Sequence, residues 1–427
     1  MWSYKLTDAF SDNLTVEDRV PVLIFDLPSF LGGPSRRYGV LPPKLSYWVQ
    51  LVLLVSTQIL MSAAFGTIVY KFIVAKKGAA TSYLVGFCVI LPLALIVPFA
   101  FIEALDLQSK TLRMTMIAMP ILVSFRCMEA MFGFIPSAPA KSLSNYIVYN
   151  AGMMETVFHP STRAPMKATW RQLLDRIRHF FSLFVLLTAL FSATSPYKYA
   201  PFVTRCEAHT LEHKLSDMAH TAHLVNNFIA ALLVSVSLSF STLGVSLLFN
   251  LTTGIMTEKV VLNPLFASRS PSDFWGRRWN NLVHSVLKRG VFKPVLKLSS
   301  SKTAAVLATF LASGLMHEWV WAILFYVNCY QKDAITGKCA ECFQPVWGKN
   351  MAFFGWNGMV IALETALKGW FLFPWMGATL PKRVKSALVL LTALPVSHLF
   401  TGDWIAGDYF SHFQLGFPLV VELDSTQ

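Results

Sequence analysis

His317 and Glu318 are adjacent ionisable residues in an otherwise apolar stretch that reads Ala312-Ser-Gly-Leu-Met-His-Glu-Trp319. Roughly fourteen residues into that stretch, at 1.5 Å each, His317 lies about 20 Å deep, near the midplane of a bilayer. Ionisable groups at that depth are costly, and they mark a wet cavity or a reaction site by default. A neutral histidine there is a fitting general base for a hydroxyl. The plain alternative is a packing histidine bonded to a neighbouring helix. Small residues at Ala312, Ser313 and Gly314 permit a helix or substrate to approach closely. A second constellation precedes this stretch: Asp273-Phe-Trp-Gly-Arg-Arg-Trp-Asn-Asn-Leu-Val-His284. Trp275 and Trp279 suit a membrane interface, and Arg277 and Arg278 could pair with phosphate. An interfacial anchor explains those four residues but not Asn280, Asn281 and His284.

The elements that carry these residues are set by composition. The chain has 427 residues, 54% hydrophobic and only 14% charged; soluble domains carry roughly 25% charge. A soluble globular fold is nearly excluded, as are disorder, collagen-like sequence and a small disulfide scaffold. Apolar runs near the ~20 residues that cross a bilayer recur at 46–70, 82–105, 113–134, 179–196, 221–253, 303–328, 351–376 and 386–402. A ninth at 405–422 is weakened by Asp403, Asp408 and His412. Apolar and polar residues do not alternate, so a β-barrel is not expected. The expected fold is all-α: a polytopic membrane protein of eight to nine helices. Residues 1–45 form an N-terminal segment, with 28–43 as a Gly- and Pro-rich linker, and 46–427 form a single membrane domain.

The net charge of +13 tests this map. Basic residues gather after the first span (Lys71, Lys76, Lys77), in the loops 135–178 and 254–302, and at Lys382, Arg383 and Lys385. With eight spans all four groups face one side, which the positive-inside rule makes cytosolic. The N-terminus, with a sequon at Asn13, and the Cys329–Cys342 loop then face the lumen. In a membrane protein this charge favours anionic headgroups or a phosphorylated co-substrate over nucleic acid. Residues 171–184 place Leu174, Ile177 and Phe181 on one helical face. They read either as a helix on the membrane surface or as the wet start of the fourth span. Residues 279–298 read as a second interfacial helix.

Other polar residues have simpler readings. Arg126 and Glu129 are spaced to pair on one helix face. Glu103 and Glu364 carry no assignment, and His398 could line the same chamber as His317. Six cysteines are too few for a disulfide framework. Cys339-x-x-Cys342, with Cys329 upstream, lacks a fourth ligand for zinc, so no metal site is expected and a structural or disulfide role is preferred. His209, His213, His220 and His223, with Glu207, Glu212 and Asp217, raise a di-iron desaturase or hydroxylase as a rival, but the other histidines are dispersed. A transporter using His317–Glu318 for proton coupling is a third class, without the paired broken helices of inverted repeats.

The two motifs together, Phe274-Trp-Gly-Arg-Arg-Trp-Asn-x-x-Val-His284 and Ser313-Gly-Leu-Met-His-Glu318, resemble the membrane-bound O-acyltransferases, and most closely their wax synthase-like branch. The resemblance implies an endoplasmic reticulum enzyme that uses acyl-CoA as co-substrate and holds no permanent cofactor. On it, Asn280 falls on the family's active-site Asn/His position and His317 on its catalytic histidine. Asn280 could then donate to a polarised carbonyl, with Glu318, His284, Trp279 and His398 as possible support. Arg277, Arg278, Lys288 and Arg289 lie where the phosphates of CoA would arrive, although a solvated face accounts for any one of them. The expected reaction is acyl transfer to a lipophilic alcohol, giving wax esters. Diacylglycerol, sterol or terpenoid alcohol acceptors stay open, as does the oligomeric state.

Overall fold

A computed structural model describes residues 19–27, 36–76, 78–204, 214–328, 331–332, 339 and 342–423. Asn13, Cys329, His209, His213, Glu207 and Glu212 lie outside the described residues. The fold is mostly helical, as expected of the composition. Its long helices are α1 (Leu45–Val74), α2 (Ala80–Leu105), α3 (Lys110–Met131), α4 (Trp170–Tyr197), α5 (Thr221–Thr253) and α6 (Lys302–Leu324). Each is long and apolar enough to cross a membrane. A seventh crossing is available from α8 (Lys382–Leu391) and α9 (His398–Ala406), whose axes bend by 61° between them.

The expected span over 351–376 is not one helix. Helix α7 (Lys349–Leu367) stops after 19 residues, and a shorter helix, Leu372–Thr379, follows a turn. The break falls at Lys368-Gly369-Trp370, where glycine lowers helix propensity. Lys349, Asn350 and Asn357 are buried in protein, which makes α7 less apolar than a lipid-facing helix. The weak ninth candidate is not a span either. It consists of the short helix Tyr409–Phe413, a 3-10 turn and a strand.

Two other expectations are resolved by chain continuity. Residues 171–184 are the first turns of the unbroken helix α4, started by a capping box in which Thr169 and Gln172 satisfy each other's backbone N–H. Helix α5 runs 33 residues without a break, about 50 Å, so it tilts or protrudes rather than splitting. The segment 281–299 does not lie free on a surface. It is a helix with a π turn at Lys288–Phe292, and it buries Leu282, Val286, Leu287 and Val291 against α3.

The proposed linker at 28–43 contains structure that hydropathy does not report. Strand β2 (Arg36–Leu41) is the middle of a three-stranded antiparallel sheet, between β1 (Leu23–Leu27) and β3 (Leu419–Glu422). Its register pairs Tyr38 with Glu422 and Leu41 with Leu419. The two ends of the membrane domain are therefore stitched together, and the partner strand lies too far along the chain for a local pattern to reveal it.

Candidate active site

The site is built on two close antiparallel helices. Helices α6 and α7 approach where Gly314 faces Met351 and Gly358 faces Phe310. A Cβ on Gly314 would lie 2.9 Å from the Met351 sulfur, and one on Gly358 would lie 2.9 Å from the Phe310 Cβ. Glu318 secures the top of this pair. Its Oε1 accepts from the backbone N–H groups of Gly348, Asn350 and Met351 at 3.1, 3.0 and 3.3 Å. A carboxylate at a helix N-terminus satisfies donors that the helix cannot. Glu318 thus holds the start of α7 rather than orienting His317. Beside it, Lys349 and Asp403 form a fully buried ion pair at 2.8 Å.

The second motif folds as a widened turn. Residues Phe274–Arg278 form a π turn, closed by the Trp279 N–H donating to the Phe274 carbonyl at 2.9 Å. The wide turn stacks Trp279 on Phe274, with ring centroids 5.3 Å apart. Trp275 is fixed by a 3.1 Å bond from its indole N–H to Asn357 on α7. Glu364, unassigned from the sequence, accepts from the backbone N–H and hydroxyl of Ser272, each at 2.8 Å. It ties the motif to the far end of α7.

Between these elements lies a cavity of about 300 Å³. It runs along one face of α6 from Val306 through Thr309, Phe310 and Ser313 to His317, about 16 Å along the axis. The opposite wall carries Trp279, Asn280, His284 and Lys288. The two motifs, a full loop apart in sequence, therefore face one space. The His317 ring is stacked on Phe354 at 4.4 Å, with Phe400 edge-on at 5.3 Å. Its Nδ1 bonds the Ser313 carbonyl at 2.7 Å. A carbonyl only accepts, so Nδ1 carries the proton and Nε2 presents a lone pair. Asn280 caps the helix that starts at Asn281, its Oδ1 accepting from the Val283 N–H at 3.0 Å. That bond assigns the amide orientation and leaves the Nδ2 donors for the cavity.

The remaining candidates separate. Lys288 lines the cavity and is exposed. Arg277 is exposed, 2.9 Å from Asp273. Arg278 is turned inward, bonding Asp273 at 2.8 Å and the Leu262 carbonyl at 3.1 Å. Burial alone would raise the Asp273 carboxyl, but the bonds from Arg278 and the Arg269 N–H, with the Arg277 charge, hold it below its usual range. Arg289 does not face an incoming phosphate. Its guanidinium is spent on Glu129 at 2.6 Å, Glu155 at 2.6 Å and the Tyr149 hydroxyl at 2.7 Å. Burial opposes that charge, but Tyr149, Glu129 and Glu155 outweigh it and raise the Arg289 pKa. Glu129 therefore pairs with Arg289 rather than with Arg126. Arg126 lies 3.9 Å over the Tyr149 ring and donates to the carbonyls of Tyr149, Asn150 and Met154.

His398 is not part of this chamber. It is buried against His223, ring centroids 5.0 Å apart, and His223 is near Asn227 and the Pro395 carbonyl. Among the described residues no group of three or more His, Cys, Asp or Glu side chains is arranged to hold a metal ion. Cys339 and Cys342 are joined in a disulfide. Sequence reasoning missed Phe354, Phe400 and Glu364, which come from α7 and α9. The face Val306, Thr309, Phe310, Ser313 and His317 is at helical spacing and was legible in principle.

Residues 259–332 match the model of the membrane bound O-acyl transferase family. The chain is 34% identical over 142 residues to acyl-CoA–sterol O-acyltransferase 1 of Arabidopsis thaliana, covering 31% of this chain and 35% of that protein. It is 34% identical over 152 residues to the probable long-chain-alcohol O-fatty-acyltransferase 1 of the same plant, covering 34% and 37%. For the probable long-chain-alcohol O-fatty-acyltransferase 2, identity is 34% over 168 residues, covering 38% and 41%. The chain thus spans about a third to two fifths of the length of the curated relatives it matches. The matched segment includes Asn280, His284 and His317, and over it the chain is similar to the membrane-bound O-acyltransferases.

Proposed function

We propose that this protein is an acyl-CoA-dependent O-acyltransferase acting on a lipophilic alcohol, with a long-chain alcohol as the preferred acceptor and a wax ester as product. One observation carries the reading: among the described residues His317 Nε2 and Asn280 Nδ2 have no hydrogen-bond partner, and both residues line the same largely apolar cavity. The alcohol hydroxyl gives its proton to His317 Nε2 as its oxygen attacks the thioester carbon. The carbonyl oxygen gains charge and takes a hydrogen bond from Asn280 Nδ2. Collapse of the adduct breaks the carbon–sulfur bond, and the proton passes from His317 to the thiolate of CoA. The base and the hydrogen-bond donor serve different atoms of one transition state, which is what direct transfer requires.

A cavity of about 300 Å³ is at the small end of ligand pockets. It holds the reacting centre, while the chains of both substrates extend beyond it along the bilayer. Lys288 and Arg277 are the cations available to CoA phosphates. Residues 46–427 act as one membrane domain in the endoplasmic reticulum, with 135–178 and 254–302 in the cytosol. The similarity to a protein named as a sterol acyltransferase supports a sterol as the second acceptor. The test is incubation of expressing membranes with labelled acyl-CoA and a panel of alcohols, diacylglycerol and sterol, with products resolved by mass. Ester that forms with wild type and disappears in His317→Ala, at equal expression, is the expected result. Full activity in His317→Ala would overturn the mechanism, and transfer only to sterol would move the acceptor.

A further inference from the structure

The wall that carries Asn280 also carries a histidine with no part in the reaction as written above. Asn280 and His284 are four residues apart on one helical turn, the backbone N–H of His284 donating to the Asn280 carbonyl at 3.0 Å. Asn280 is the cap of this helix and His284 lies in its first turn. Both line the cavity. Segment 281–299 and helix α6 are consecutive arms of a hairpin that turns at Ser300–Ser301, where Ser300 adopts a left-handed conformation. Counted outward from that turn at equal rise, His284 is roughly level with His317. The Asn280 oxygen is occupied as a cap, and among the described residues the His284 ring has no hydrogen-bond partner.

Burial pushes the His284 pKa down to about 4, helped by the charges of Lys288 and Arg289. The ring is therefore neutral at cellular pH. It keeps one N–H to donate and has little tendency to compete with His317 for the proton. We propose that His284 is a second oxyanion donor, completing with Asn280 a two-donor site for the thioester carbonyl oxygen across the cavity from His317. The proposal rests on the acyl-transfer reading. In it, the electron pair of the carbonyl π bond moves onto oxygen as the hydroxyl attacks, and two N–H groups receive that oxygen. The pair returns when the thiolate leaves with the proton held by His317.

The experiment compares His284→Gln, which retains an N–H donor, with His284→Leu and His284→Met, which do not. Steady-state rates are measured with acyl-CoA and a long-chain alcohol, alongside thermal midpoints in detergent. The donor-less variants should lose about 10²–10³-fold in kcat with KM for both substrates little changed, and His284→Gln should stay within about tenfold of wild type. Adding Asn280→Asp to His284→Leu should cost less than the product of the two losses, because both act on one oxygen. Equal losses in all three His284 variants, a loss carried by KM alone, or an unimpaired His284→Leu would each overturn the proposal. If wild type itself forms no ester, the acyl-transfer reading fails and takes this proposal with it. Wild-type activity with an unimpaired His284→Leu sinks only the second donor.

Discussion

Neighbouring residues in the two motifs have divided labour. Asn280 is both a helix cap and the candidate donor, and substitution separates the two. Asn280→Asp keeps an oxygen for the Val283 N–H and loses the amide donor. It should reduce ester formation by about 10²-fold or more while the thermal midpoint stays near wild type. Asn280→Ala loses both, with about 1 kcal/mol of stability. Asn281→Ala should be milder for activity, because Asn281 reaches Glu258 at 3.3 Å rather than the cavity. Glu318 makes the opposite case. Its position beside His317 suggests catalysis, yet its oxygen holds the start of α7. Glu318→Ala should destabilise by about 2–4 kcal/mol, since three N–H groups lose a charged acceptor. Glu318→Gln should retain activity, and ester formation per folded molecule in that variant checks it. The types and spacing of His317 and Asn280 were legible in the sequence. The direction of Glu318 was not, because neighbouring helical residues diverge by about 100° and only the packed partner decides which one matters.

At the scale of elements, the segment 281–299 is held in register by charge. Arg289 joins it to α3 through Glu129 and to the 149–158 region through Glu155 and Tyr149. Arg289→Ala leaves two acidic side chains without their partner, and Glu129 is fully buried. Removing one member of such a set costs about 3–5 kcal/mol. Expression and thermal midpoint in detergent should fall sharply, and Glu129→Gln in the same chain should recover part of the loss. The helices themselves were largely readable from hydropathy, which located the six long apolar helices found among the described residues. Their roles were less so. Residues 279–298 carry a basic and apolar pattern that suits a membrane surface, but the apolar face meets α3 instead. Arg126 and Glu129 have the spacing of a pair, yet each finds a better partner on another element. Spacing identifies which residues can meet, while packing decides which do.

For the whole molecule, buried neutral histidines set a pH limit. The pKa values of His284 and His412 are both pushed down to about 4 by burial, reinforced by nearby cations. Above about 6.5 these rings are neutral in both folded and unfolded chains. As pH falls below that value the unfolded chain takes up protons that the folded chain refuses. Stability is therefore lost between about 6.5 and about 4, by up to about 3 kcal/mol for each group. Thermal midpoints in detergent should decline across that window, and less steeply in His284→Gln. Sidedness is the other molecular question. Protease digestion of intact microsomes should cut within 135–178 and leave Asn13 glycosylated; cytosolic cleavage near Asn13 would reverse the orientation.

Membrane residence, the helical class and the two motifs were determined by the sequence alone, because apolar length and residue type are local quantities. The positions of the basic groups also turned the +13 charge from a hint of polyanion binding into an expectation about sidedness. What the tertiary structure decided was partnership. It placed His317, Asn280 and His284 around one cavity, removed Glu318, Arg289 and His398 from it, and joined β2 to β3 across almost the whole chain. Those outcomes depend on which faces of distant helices meet and on which buried charge each cation neutralises. A bilayer intensifies that choice, since a polar group without a partner inside the fold has little water to turn to.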